Sequence, residues 1–142
     1  MKSLLVCGLL LGLSAGAARA QGNLTVNVSG FKNSKGLCKL WLYNSAGGFP
    51  ADEKKAVKIV EVPITGASSH YVFENLPAGT YAVSAMHDEN GNHKFDTNFL
   101  GIPKEAYGNT NGARGGMSGP PTFDQAKITV PKNGLTAAIV VK

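Results

Sequence analysis

The stretch ENLPAGTYAVSAMHDENGN, residues 74–92, reads as a tight corner, a strand and a polar turn in direct succession. In the corner, Leu76 is placed to enter a core, Pro77 fixes its own φ, and Gly79 is free to take a positive one. Tyr81 follows at a distance from which its hydroxyl can reach back to the preceding turn, an arrangement similar to the tyrosine corner of Greek-key sandwiches. The run TYAVSAMHD, residues 80–88, then has the β-branched, aromatic and small apolar composition of a strand.

Period-two patterning recurs on both sides of this stretch, and no window sustains a helical period. NLTVNVSG (23–30) sets Leu24, Val26 and Val28 on one face and Thr25 and Asn27 on the other. LCKLWLYN (37–44) alternates Cys38, Leu40 and Leu42 with Lys39, Trp41 and Tyr43. AVKIVEVPIT (56–65) carries Pro63, which cannot donate to a ladder and so marks an edge or a strand end. SHYVFENL (69–76), QAKITV (125–130) and LTAAIVV (135–141) complete the set, the last two joined by the turn PKNG. The expected fold is therefore all-β: a single antiparallel β-sandwich of about seven strands, an immunoglobulin-like or transthyretin-like Greek key. A barrel of eight strands fits the pattern less well.

Residues 1–20 have a basic start at Lys2, a short apolar run from Leu4 and a small-residue ending, AARA, which together read as a secretory signal peptide cut after Ala20. The predicted organisation is a leader, 1–20, followed by one β-sandwich domain, 21–142, periplasmic or secreted and without a transmembrane segment after cleavage. Loss of the leader removes Lys2 and Arg19 and leaves 12 basic against 9 acidic side chains, a charge of +3. So small an excess, with no basic run longer than Lys54-Lys55, argues against nucleic acid as a partner. It also removes Cys7, so Cys38 has no partner for an internal disulfide, and its apolar surroundings predict a buried, inert thiol.

HDENGNHKFD, residues 87–96, admits two readings. Counted from Asp88, the first, third, fifth and ninth positions of a calcium loop are Asp88, Asn90, Asn92 and Asp96, with the Lys94 carbonyl at the seventh. The twelfth position is Phe99, which cannot ligate, so calcium held here would be held weakly, at a Kd of roughly 0.1–1 mM. The alternative is a polar hairpin turn built on Asn90-Gly91, the favoured reading. No other cofactor is indicated.

The connection from Asp88 to Phe123 is long for a compact domain, where such loops are functional or disordered, and its apolar residues make it read as mostly ordered. Phe95, Phe99, Leu100, Ile102 and Tyr107 are its expected apolar anchors, KEAYG (104–108) its one candidate helical turn, and GNTNGARGGMSGPP (108–121) its expected mobile part. Weaker candidates are a soft-metal site from Met86, His87, His93 and Met117, an anion cradle at Arg114, and a glycan platform on Trp41 and Tyr43, for which core packing is the commoner fate. Ser118 lacks the context of a nucleophile elbow. Asp88, Glu89, Asp96 and Glu105 are the acids a hydrolase would use, but nothing in their spacing pairs them.

The segment NLPAGTYAVSAMHDENGNHKFDTNFLGIPKEAYGNTN with the later PTFDQAKITV resembles the bacterial exported family named domain of unknown function 2141 over nearly all of residues 21–142. That resemblance implies a small periplasmic or secreted β-sandwich and names no activity. More distantly, the LPAGTY corner beside an acidic Asn/Gly loop is similar to prealbumin-like modules on bacterial surfaces, some of which bind calcium, although His93 stands here where those modules favour glycine. The expected function is a non-enzymatic binding or envelope accessory module, its partner a protein or glycan, with residues 88–107 as an ordered lid. The rivals are a purely structural module and a carboxylate-based hydrolase.

Overall fold

The computed structural model describes residues 20–142, so the expected leader lies outside the described residues except for Ala20. The alternation at the start becomes strand β1, Gln21–Ser29, with Leu24, Val26 and Val28 buried and the polar positions between them outward. β2 (Leu37–Tyr43), β3 (Lys58–Pro63), β4 (Ser68–Pro77) and β5 (Gly79–Asp88) follow where the patterning places them. β6 (Tyr107–Asn109), β7 (Ile128–Val130) and β8 (Leu135–Val140) complete the β-structure. One sheet has the order β4-β1-β8; the other runs β3-β2-β5-β6, with β7 paired to the start of β5. The protein is thus mostly β, in two mainly antiparallel sheets, and not a barrel.

The sequence reading needs three adjustments here. Among the described residues there are eight strands where about seven were expected, because 107–109 pairs with β5 where KEAYG had suggested a helical turn. Gly108 permits this: a Cβ there would lie 2.4 Å from the Val140 carbonyl oxygen, so only glycine lets β6 approach the end of β8. Nor is every pairing antiparallel. The chain changes sheet between β7 and β8, and β8 arrives beside β1 in parallel, with Val26 opposite Ala137. The first half of QAKITV is not strand but a one-turn helix, Phe123–Ala126, closed by a capping box between Thr122 and Gln125.

The tyrosine bond of the corner forms as read, the Tyr81 hydroxyl donating to the Pro77 carbonyl at 2.7 Å, but the positive φ falls on Asn75 (φ 56) and not on Gly79. Between the sheets lie Leu24, Val26, Leu40, Leu42, Phe73, Val83 and Ile139, with Cys38 buried among them. β2 is buried on its other face too, where Trp41, Tyr43 and Met86 of β5 pack against Phe49, Ala56, Phe95 and Phe123 from the connections. Edge-to-face contacts run from Tyr43 to Phe49 to Phe123 and from Trp41 to Phe95 to Tyr107, with ring centroids 5.5–6.3 Å apart. The connections 44–57, 89–106 and 110–127 therefore form a third layer over the outer face of the larger sheet. They also hold the segment expected to be mobile: Asn109, Thr110 and Ala113 are buried, and the Thr110 hydroxyl donates to the Ala126 carbonyl at 2.6 Å.

Candidate functional site

At the end of β5, Asp88 is only 1% exposed, and its carboxylate accepts the backbone N–H groups of Asn92 (3.2 Å) and His93 (2.8 Å). Asn90 Oδ1 accepts from Asn92 N and Asn92 Oδ1 from Lys94 N, while both side-chain amides donate to Asp96 Oδ2 at 2.9 and 2.7 Å. Those two donors hold the Asp96 carboxyl below its ordinary range. Turning either amide to offer its oxygen to a cation would break its backbone bond. Residues 88–96 therefore close on themselves as a turn, and among the described residues no group of three or more His, Cys, Asp or Glu is placed to hold a metal ion. His93 adopts φ +63, the left-handed conformation usually left to glycine. Its carbonyl accepts from the buried Lys39 ammonium at 2.7 Å and its ring meets Glu61 at 2.9 Å, which fastens the turn to the sheet.

The other candidates are not brought together. Met86 lies in the outer core, and His87 bonds the Lys35 carbonyl at 2.8 Å with its ring against Phe31. Met117 is exposed on a separate loop. Arg114 donates to the Val140 carbonyl and covers the Tyr107 ring. Trp41 and Tyr43 are buried, and Trp41 Nε1–H donates to Glu53 at 3.3 Å, so neither offers a glycan platform.

Of the remaining acids, Glu89 accepts from the Asn33 amide, which lowers its pKa. Glu105 Oε2 accepts from Asp96 N, but its Oε1 is buried without a partner, and burial, with Asp96 and Asp88 nearby, raises its pKa. A carboxyl whose folded pKa is raised stabilises the fold below the unfolded value, and that contribution is lost as pH rises through the folded value. Glu105→Gln keeps an acceptor for Asp96 N and stays neutral. It is expected to stabilise the protein at neutral pH, because it removes a charge that burial and the neighbouring Asp96 and Asp88 disfavour. The gain should vanish below the ordinary glutamate value of 4.5. Denaturant midpoints of both proteins across pH check this, and a gain that persists unchanged into acid would refute it.

A second feature was not legible in the sequence. Asp96 to Lys104 forms a small hairpin in which Lys104 N bonds Asp96 O, Thr97 bridges Pro103, and Asn98 N bonds Ile102 O. Asn98 Oδ1 caps the tip by accepting from Leu100 N (2.9 Å) and Ile102 N (3.0 Å). With that polar cap filling the tip, its apolar side chains point out: Phe99 is 95% exposed, Leu100 68% and Ile102 55%. They do not pack beneath the loop as expected; only Phe95 and Tyr107 act as anchors. Nearby, Gly116 and Gly119 exchange backbone bonds at 2.9 and 3.1 Å and carry Met117 fully into solvent. A cleft of about 750 Å³ lies between these tips, floored by Trp41, Phe95 and Tyr107 and walled by Leu100, Ile102 and Met117.

The family model described as uncharacterized protein conserved in bacteria (DUF2141) matches residues 26–138. The chain belongs to this family. The match takes in the corner, the polar turn and both apolar tips of this DUF2141 protein. No curated protein and no solved structure matches it. No helix among its described residues is long and apolar enough to cross a membrane.

Proposed function

We propose that the protein is an exported, non-enzymatic recognition module, an immunoglobulin-like or transthyretin-like sandwich whose binding surface is the apolar cleft in its third layer. The observation that carries this reading is the cleft itself, whose volume of about 750 Å³ lies within the range of small-molecule and cofactor sites. Export is supported by the leader pattern of residues 1–20, whose removal leaves Cys38 as the one thiol. Burial pushes that thiol up to about 12, which keeps it inert in an oxidising compartment. Asp88, Glu89 and Asp96 all have oxygens engaged in holding the loop, an arrangement that favours structure over acid–base chemistry. The turn at 88–96 is held by its own hydrogen bonds.

The test is titration with the apolar fluorophore 1-anilinonaphthalene-8-sulfonate. Native protein is expected to enhance its emission saturably. Leu100→Asp with Ile102→Asp should weaken binding by roughly ten-fold or more, since each removes a large apolar contact and adds charge to the wall. No enhancement by native protein, or equal affinity in the double variant, rejects the cleft.

A further inference from the structure

We propose that the two apolar tips dock the protein on an anionic lipid surface, Phe99, Leu100, Ile102 and Met117 entering the acyl boundary while Lys94 and Lys104 meet the headgroups. This rests on the recognition reading above and names the partner of that surface.

The shape of the tips favours lipid over a protein partner. Phe99 is 95% exposed and Met117 fully so, which makes them protrude beyond the cleft. A ligand lying in the cleft would leave them in water, and a folded partner would need a socket for each, whereas lipid chains flow around a protruding side chain. Exposed apolar groups clustered in this way mark interaction sites.

The tips are also preorganised. Asn98 caps the first through Leu100 N and Ile102 N, and the Gly116–Gly119 pair closes the second, so little loop entropy remains to be lost on docking.

The charges lie where headgroups would be. Lys104 closes the hairpin stem by its bond to Asp96 O, and the three residues from Gly101 to Lys104 span about 10 Å of extended chain. Interfacial apolar groups enter a bilayer to a depth of about 5–10 Å, so an inserted tip brings the Lys104 ammonium to the phosphates. Lys94 is exposed too, and both lysines are near enough to Asp96 to act on its carboxyl. Flexible lysine stems let the ammonium groups stay in the polar layer as the tip enters. Asp96, the acid between them, is occupied by the two asparagine amides.

Co-sedimentation with vesicles decides the matter. The purified protein is expected to partition onto phosphatidylethanolamine vesicles containing phosphatidylglycerol, and more weakly onto phosphatidylcholine. Phe99→Asp with Leu100→Asp should lower the partition coefficient by roughly ten-fold or more, and Met117→Asp should lower it in the same direction. Lys94→Gln with Lys104→Gln should lower it on anionic vesicles by roughly five-fold per lysine, and leave phosphatidylcholine binding unchanged. Thermal midpoints of the tip variants should match native protein, because these side chains stand largely in solvent. Native protein that stays in the supernatant, or a Phe99/Leu100 variant that partitions as native protein does, overturns the inference. Fluorophore bound in the cleft with vesicles ignored defeats lipid docking alone; failure of both defeats the recognition reading with it.

Discussion

Asp88→Ala is expected to lower the thermal midpoint by roughly 10–15 °C, although the residue lies at the end of a strand and not in the hydrophobic core. Its carboxylate is buried and accepts two backbone N–H groups: that of His93 has no other acceptor at hand, and that of Asn92 is shared with Asn90 Oδ1. Hydrogen bonds to charged groups contribute about 1.5–3 kcal/mol each, and a domain of this size shifts by about 3–5 °C per kcal/mol. Asp88→Asn should lose about half as much: one oxygen still accepts, while the amide nitrogen faces an N–H donor. Calorimetry gives the midpoints, and hydrogen exchange should show the His93 amide losing protection while β1 and β4 keep theirs. Midpoints within a degree or two of native protein would mean that the turn is held by something else. In the native protein, midpoints in millimolar calcium and in chelator are expected to coincide. A rise of several degrees with calcium would return residues 88–96 to the cation reading.

Strand existence was legible wherever one face is apolar and the other polar, as in β1, because that pattern is set by burial alone. The corner at 76–81 was legible because Pro77 and Tyr81 each have one strong conformational or hydrogen-bonding preference, whereas its positive φ sits on Asn75 and not on Gly79. β6 was not: three residues ending in Asn109 carry no alternation, and their pairing depends on Gly108 lying against a carbonyl far away in sequence. The helix Phe123–Ala126 did have a signal, Thr122 three residues before Gln125, which the apolar run after it obscured. His93 at positive φ was hidden because its conformation is imposed by Lys39 and Asp88, residues that only the fold brings to it. The apolar tips were misread for a related reason. Hydrophobic residues in a loop suggest anchors, and only the Asn98 cap shows that Phe99, Leu100 and Ile102 have nothing beneath them to pack on.

Trp41→Ala should cost as much as Phe73→Ala, about 3–5 kcal/mol, if the connections 44–57, 89–106 and 110–127 are a true third layer. Phe73 lies between the two sheets, where such a loss is ordinary. Trp41 lies on the outer face of β2, 1% exposed, edge-on to Phe95, with the Lys39 ammonium 5.5 Å from its ring centroid and its Nε1–H on Glu53. Beyond the strand residues Lys39, Tyr43 and Met86, the groups that cover it come from the connections. Removing the indole therefore opens a cavity under loops that have few other apolar anchors, and the cleft floored by Trp41, Phe95 and Tyr107 should lose its fluorophore binding along with the stability. Trp41→Phe should cost far less, about 1 kcal/mol, chiefly the lost bond to Glu53. Denaturant unfolding of the three variants measures all of this. Equal losses at 41 and 73 make the layer part of the cooperative unit, and a loss below about 1 kcal/mol for Trp41→Ala would show the loops to be a loose cover on a two-layer protein.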